Sequence, residues 1–180
     1  LIAIALQRSD LSLSRDEQKR SADALEKQMQ ATEKMNFEAT FFHMLEIHNV
    51  IVNSIDLIDE NKVITHGRDC FRTFYTRFTR IYRKNAAKGG KRHSDESILR
   101  LSYYLFWKDN QLELAHYYRY LFNIIKFVDE SAFRRGPYIK LVRAQLSDQE
   151  LLLLFYNCLS DSGGKFKEYA ERFELFDNMP

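Results

Sequence analysis

The stretch from Leu112 to Asp129, LELAHYYRYLFNIIKFVD, constrains this chain more than any other. At about 100° per residue its Leu, Tyr, Phe, Ile and Val side chains cover nearly the whole circumference of a helix. A helix apolar all round belongs inside a protein. One narrow stripe interrupts it: His116, Arg119 and Asn123 stand at i, i+3 and i+7 on a single face, with Lys126 just beyond. Polar groups on a buried helix need partners within the protein. The spacing therefore predicts a helical bundle with a buried polar seam.

The rest of the chain supports an all-α fold. Only 6 Gly and 2 Pro occur in 180 residues, too few turn formers for many short elements. The length suits one domain of ordinary size with a sizeable core. Together these features predict a bundle of about six helices, residues 36–180, behind a long N-terminal helical stalk, residues 1–35. A net charge of +2 makes no case for a general nucleic-acid binder, so any such surface must come from local clustering. Cys70 and Cys158 lie in helical patterns without metal-type spacing and read as reduced, inert thiols.

The chain opens LIAIAL, which leaves two readings open: the tail of a membrane span, or an ordinary apolar helix start or dimer contact. Six apolar residues do not themselves span a bilayer, which takes roughly 20. From Gln7 to Lys34 the sequence is polar, charged and free of Gly and Pro. Leu11, Ala22, Leu25 and Met29 fall near heptad spacing, but Gln18 and Thr32 occupy the same seam, which permits only a weak coiled coil. A solitary helix of this kind is marginal in water, so self-association or a membrane anchor is expected to support it.

A strong amphipathic pattern then runs from Phe37 to Ile58, with Phe37, Phe41, Met44, His48, Ile51, Ile55 and Ile58 on the apolar stripe and Asn49 and Asn53 on the polar side. His48 within that stripe reads first as a satisfied core histidine. Asp59 to Gly67 reads as a loop. From Arg68 to Lys84 aromatic residues take one face of a helix, and Arg72, Arg77, Arg80, Arg83 and Lys84 the other. With Lys88, Lys91 and Arg92 the face becomes a basic surface suited to simple solvation, to anionic lipid headgroups or, less readily, to nucleic acid. Asn85 to His93 reads as a flexible linker without phosphate-loop spacing. Ser94 caps the next helix, which is expected to break or bend at Lys108 to Gln111. After a turn at Phe133 to Pro137 comes a short helix ending near Gln145. Ser147 and Glu150 form a capping box ahead of ELLLLFYNCL, a second buried helix, and a last amphipathic helix starts at Lys165.

Several segments resemble the family of phage abortive infection proteins of the AbiC type. They are NFEATFFHMLEIHNVIVNSID, GRDCF, LAHYYRYLFNIIKFVDES, YIKLVRAQLSDQELLLLFYNCLS and KFKEYAERFELFDNMP, in order from Asn36 to Pro180. HYYRY at His116 and RAQLSDQEL at Arg143 are the most distinctive. The resemblance implies bacterial antiphage defence, in which infection triggers arrest or death of the cell, and membrane spans preceding a charged helix and this domain. It places the protein on the cytoplasmic side of the inner membrane if such spans exist, and otherwise in the cytoplasm. It marks His48, Asn49, Asn53, His116, Arg119, Asn123, Arg143, Gln145 and Asn157 as a shared polar seam without assigning catalytic roles.

An enzyme reading finds little in the residues. Many abortive infection proteins are helical ribonucleases marked by Arg followed four to six residues later by His, and none of His43, His48, His66, His93 and His116 has that Arg. His43 and His48 stand five apart, unlike the i, i+4 pair of zinc helices, and no nucleophile motif or cofactor fingerprint is present. The leading expectation is a cytosolic sensor or effector module of a membrane-tethered defence protein, homo-oligomeric through its stalk, with a phage component as trigger and an anionic membrane surface as a further partner. A ribonuclease or nucleotide-binding enzyme built on His116 and Arg119 is the alternative, and a self-associating scaffold the third reading.

Overall fold

The structure, a computed structural model, describes the backbone of residues 2–58, 64–89, 94–134, 136–160, 163–177 and 179, and side chains for all of these except 2–12, 58, 64 and 89. Among the described residues there are six helices and one antiparallel ribbon: α1 (Ile2–Asn53), β1 (Asp56–Ile58), β2 (Ile64–His66), α2 (Asp69–Gly89), α3 (Asp95–Asp129), α4 (Tyr138–Gln145), α5 (Asp148–Cys158) and α6 (Gly164–Arg172). The all-α expectation holds. The chain divides into two units, Leu1–Phe42 and His43–Pro180.

The first unit is the greater part of α1. No Gly or Pro interrupts Ile2–Asn53, so the backbone ladder continues unbroken through what the sequence pattern separates into a stalk and a first bundle helix. Every described position from 13 to 36 is exposed. At the unit's end Phe37 and Phe41 stack, ring centroids 6.2 Å apart and planes 12° from parallel. The side chains of LIAIAL lie outside the described residues. Among the described residues no helix is long and apolar enough to cross a membrane.

The second unit opens with the last turns of α1, where Leu45, His48, Ile51 and Val52 are buried. The helix stops at Asn53, short of the expected Ile58, because residues 56–58 pair with 64–66 in register Asp56↔His66, Leu57↔Thr65 and Ile58↔Ile64. Strand β1 takes the last residues expected as helix, and β2 falls within the expected loop, whose residues 59–63 lie outside the described residues. Gly67, at φ 57°, turns the chain into α2, and its N–H donates to Ile55 O at 2.8 Å. A left-handed residue here favours glycine, which has no Cβ to clash. The Cys70 thiol then donates to Thr65 O at 3.0 Å and Ile55 O at 3.3 Å, binding ribbon to helix.

Phe71, Phe74 and Phe78, at i, i+3 and i+7 of α2, form its buried face and pack edge-on or tilted against α3. Phe71 meets Tyr117 at 4.7 Å between centroids, Phe74 meets Phe106 at 6.4 Å, and Phe78 meets Phe106 at 5.8 Å and Tyr103 at 5.9 Å. Helix α2 continues to Gly89, through residues expected as linker. Helix α3 is continuous across Lys108 to Gln111, where a break was expected. Lys108, Asp109 and Gln111 face solvent, and the buried Asn110 donates to Phe106 O at 2.7 Å while accepting from Arg77 Nη1 at 2.9 Å. A polar residue satisfied on both sides does not interrupt a helix.

The Ser147 and Glu150 capping box forms as expected and starts α5. Between α5 and α6, a Cβ on Gly163 would stand 2.0 Å from Asn157 O, so only glycine fits that approach. Beyond α6, Glu174 takes φ 50° and Leu175 N donates back to Ala170 O at 3.0 Å, closing the helix in the manner of a Schellman turn. Phe122 of α3 receives Phe166 and Tyr169 of α6 at 5.8 and 5.2 Å.

Candidate functional site

The polar centre of the second unit is a cluster around Glu150, which has no solvent exposure. Its place at the third position of α5 follows from the capping box: Ser147 N donates to Glu150 Oε2 at 2.7 Å, and Glu150 N donates to Ser147 Oγ at 3.3 Å. The remaining carboxylate capacity is met from two other helices. Tyr117 of α3 donates its hydroxyl to Oε1 at 3.1 Å, and the Arg68 guanidinium, just before α2, brings Nε to 3.5 Å from Oε2. Arg68 also donates to the Gln145 carbonyl oxygen and, at 3.4 Å, to Asn49 Oδ1. Asn49 Nδ2 closes the circuit on Gln145 Oε1 at 3.5 Å.

This arrangement is a clasp. One carboxylate joins Arg68 ahead of α2, the middle of α3 and the α4–α5 junction, and Arg68 and Gln145 extend the circuit to Asn49 near the end of α1. A buried charge so surrounded is satisfied, whereas removal of one partner leaves the others unpaired. Burial, and then the Glu150 carboxylate, push the Tyr117 hydroxyl well above its usual range, so it remains a donor. His48 packs against Tyr117 at 5.3 Å between ring centroids, and its Nε2 has no hydrogen-bond partner. Burial, reinforced by the Arg68 charge, lowers its pKa to about 4, so the ring is neutral near pH 7.

The sequence-predicted seam is thereby divided. His48, Asn49 and Gln145 gather at the clasp. His116, Arg119 and Asn123 do not: all three are exposed, and Arg119 Nε donates to Ala115 O of its own helix at 3.1 Å. This corrects the expectation that they form a buried seam facing Asn49 and Asn53. Tyr117, Tyr118, Leu121, Ile124 and Ile125 take the inner face of α3, and the i, i+3, i+7 stripe is its solvent side. Asn53 is also exposed, beside Gly67. Asn157 is buried and donates to the Tyr103 hydroxyl at 3.0 Å. It shares a cavity of about 210 Å³ with Arg119, walled by Tyr118, Phe122, Lys165 and Phe166. Arg143 lies elsewhere, donating Nη1 to Glu174 O at 3.0 Å.

Arg72, Arg80, Arg83, Lys84 and Lys88 are exposed. Arg77 is the exception, half-buried through its bond to Asn110. Lys91 and Arg92 lie outside the described residues. Arg72, Thr73, Thr76, Arg77 and Arg80 line a surface hollow of about 330 Å³.

Sequence reasoning missed Arg68, Tyr117 and Glu150 as a group. The capping box flagged Glu150 as a helix-start residue, but its second role depends on side chains from distant segments. Among the described residues no three His, Cys, Asp or Glu side chains are grouped to hold a metal ion.

The fold and the clasp define a helical domain whose central carboxylate, Glu150, is buried and paired from several segments. Residues 109–180, from within α3 to the end, match the profile of the family described as "Putative phage abortive infection protein". The match includes Tyr117, Gln145, Ser147 and Glu150 of the clasp, together with His116, Arg119, Asn123, Arg143 and Asn157. No curated protein and no solved structure matches the chain significantly.

Proposed function

We propose that this chain is the cytosolic sensing or effector module of a membrane-tethered antiphage protein acting by abortive infection. The observation that carries the reading is the family match over residues 109–180. The clasp suits such a module better than an enzyme: a carboxylate with no exposure, held by Arg68, Tyr117 and Ser147, cannot meet a substrate without local opening. The solvent-facing stripe of His116, Arg119 and Asn123 suits a docking surface for a phage component, and the basic α2 face suits anionic headgroups near a membrane.

The test is phage challenge of bacteria expressing the native gene product. Plaque counts are expected to fall, with cultures collapsing at high phage-to-cell ratio and surviving at low ratio. Equal plaquing with and without the gene overturns the defence reading. Recovery in the membrane fraction, released by detergent and not by salt, is expected for the tether. Recovery in the soluble fraction overturns the tether and leaves the defence reading standing.

Self-association through α1 is part of the same proposal. Leu25 and Met29, four residues apart on one side of the helix, are 58% and 64% exposed, an apolar pair that a second copy would cover.

A further inference from the structure

We propose that the cavity between the α3–α4 turn, α4 and the end of α6 binds a ribonucleotide. This goes beyond the defence reading and does not depend on it. The cavity holds about 490 Å³, within the size range of small-molecule sites. Four cationic residues line it: Arg134 from the turn, Lys140 and Arg143 from α4, and Arg172 from α6. Arg172 is already engaged, with Nη1 2.7 Å from Asp129 Oδ2 and its guanidinium 5.3 Å from the Tyr169 ring centroid. Arg143 commits one nitrogen to Glu174 O and keeps its other donors. Arg134 and Lys140 form no ion pair with the described residues. Four cationic residues against two carboxylates, Glu174 and Asp177, leave the lining of this hollow net positive, which suits a phosphate, Arg in bidentate fashion and Lys as a point charge.

The other lining residues argue for more than bare phosphate. Glu174 and Asp177 line the same cavity and pair with none of its cations among the described residues. Carboxylates are acceptors only, and what they fit on a phosphorylated ligand is a hydroxyl, as in a ribose diol. Glu174 stands at φ 50°, a backbone state unfavourable for a side-chain-bearing residue, and it is Arg143 that holds its carbonyl oxygen. Phe173, half-buried, adds an aromatic wall against which a base can pack. Phosphate, sugar and base chemistries therefore meet in one hollow, and all of its lining residues lie within the family-matched segment.

Calorimetric titration of the full chain with the four ribonucleoside diphosphates tests this, with ribose and inorganic pyrophosphate as comparison ligands. Saturable binding of at least one diphosphate is expected, at least tenfold tighter than pyrophosphate, with ribose not binding. Arg134→Ala and Lys140→Ala, both exposed and without an ion pair among the described residues, should each weaken binding about tenfold without moving the melting temperature. The double substitution of Arg72 and Arg80 by Ala on α2 should leave it unchanged. Three results overturn the proposal: no diphosphate binds at millimolar concentration, pyrophosphate binds as tightly as the diphosphates, or the α2 substitutions abolish binding while the cavity variants retain it.

Discussion

The hydroxyl of Tyr117 donates to Glu150 Oε1 at 3.1 Å with both side chains withdrawn from water. A bond of this kind costs little to keep and much to lose, because the carboxylate oxygen left behind has no solvent to turn to. Tyr117→Phe should therefore destabilise the fold by about 1–3 kcal/mol. Glu150→Ala should cost more, since it also strips the Ser147 cap and strands Arg68. Urea unfolding followed by circular dichroism measures both. A change below about 0.5 kcal/mol for Tyr117→Phe, the range of an ordinary surface substitution, would show that the clasp carries no stability.

His48 makes stability depend on pH. Its folded pKa, about 4, lies below the unfolded value of 6.5, so the unfolded chain takes up the proton first as pH falls. The stabilising contribution is complete above pH 6.5 and drains away towards pH 4. Between pH 6.5 and pH 5 the loss should be about 2 kcal/mol, at 1.36 kcal/mol per unit. His48→Phe, which keeps a ring against Tyr117, should flatten that slope. An unchanged slope in the variant assigns the acid sensitivity to another group.

Neighbouring glycines should behave oppositely. Nothing lies within 4 Å of the Cβ that Gly164→Ala would introduce at the first position of α6, and the change should be neutral or stabilising by about 0.4–1 kcal/mol through the unfolded chain. Gly163→Ala must displace the Asn157 backbone and should lower the melting temperature sharply. Thermal denaturation of the two single variants compares them directly, and equal behaviour would sink the claim of close approach at Gly163.

The outward stripe of α3 gives a separation of function from stability. His116→Ala, Arg119→Ala and Asn123→Ala should each stay within about 0.5 kcal/mol of the parent, as surface substitutions do. Loss of phage protection at unchanged stability would mark the stripe as a docking surface. Full protection in the triple variant would remove it from the mechanism.

Binding of the basic α2 face to vesicles containing anionic lipid should fall as salt rises through about 0.15 M, where the screening length is about 8 Å. Sedimentation with vesicles, comparing the parent with the combined substitution of Arg72, Arg80, Arg83 and Lys84 by Ala, measures this. Equal binding to neutral vesicles would contradict it.

Helix content was largely legible in the sequence because apolar spacing and scarce turn formers report on local structure. Boundaries were less so. Lys108 to Gln111 looks like a break, yet three of those residues face water and Asn110 finds Arg77, a partner that no local pattern reveals. The ribbon escaped notice because strands of three residues are too short to show alternation. The stripe of His116, Arg119 and Asn123 was correctly seen as one face and wrongly placed inside. The apolar residues around it include tyrosines and leucines that tolerate exposure, Leu112 among them at 89%. The groups that are buried and polar, Glu150, Asn110, Ser102, Asn157 and His48, are scattered singly through apolar runs. Their long-range partners, Tyr117 and Arg68 for Glu150, Arg77 for Asn110, Asn85 for Ser102 and Tyr103 for Asn157, come from other segments or distant turns, and local spacing carries no trace of them.

Because Glu150 closes the first turn of α5 with one oxygen and reaches α3 with the other, local and long-range order at this point cannot form independently. The chain cannot dock α5 against Tyr117 with an uncapped helix start, nor finish the cap with the carboxylate swung elsewhere. Amide hydrogen exchange at Ser147 and Glu150 should accordingly proceed only through openings that also release α3, giving the two helices a common protection rather than separate fraying.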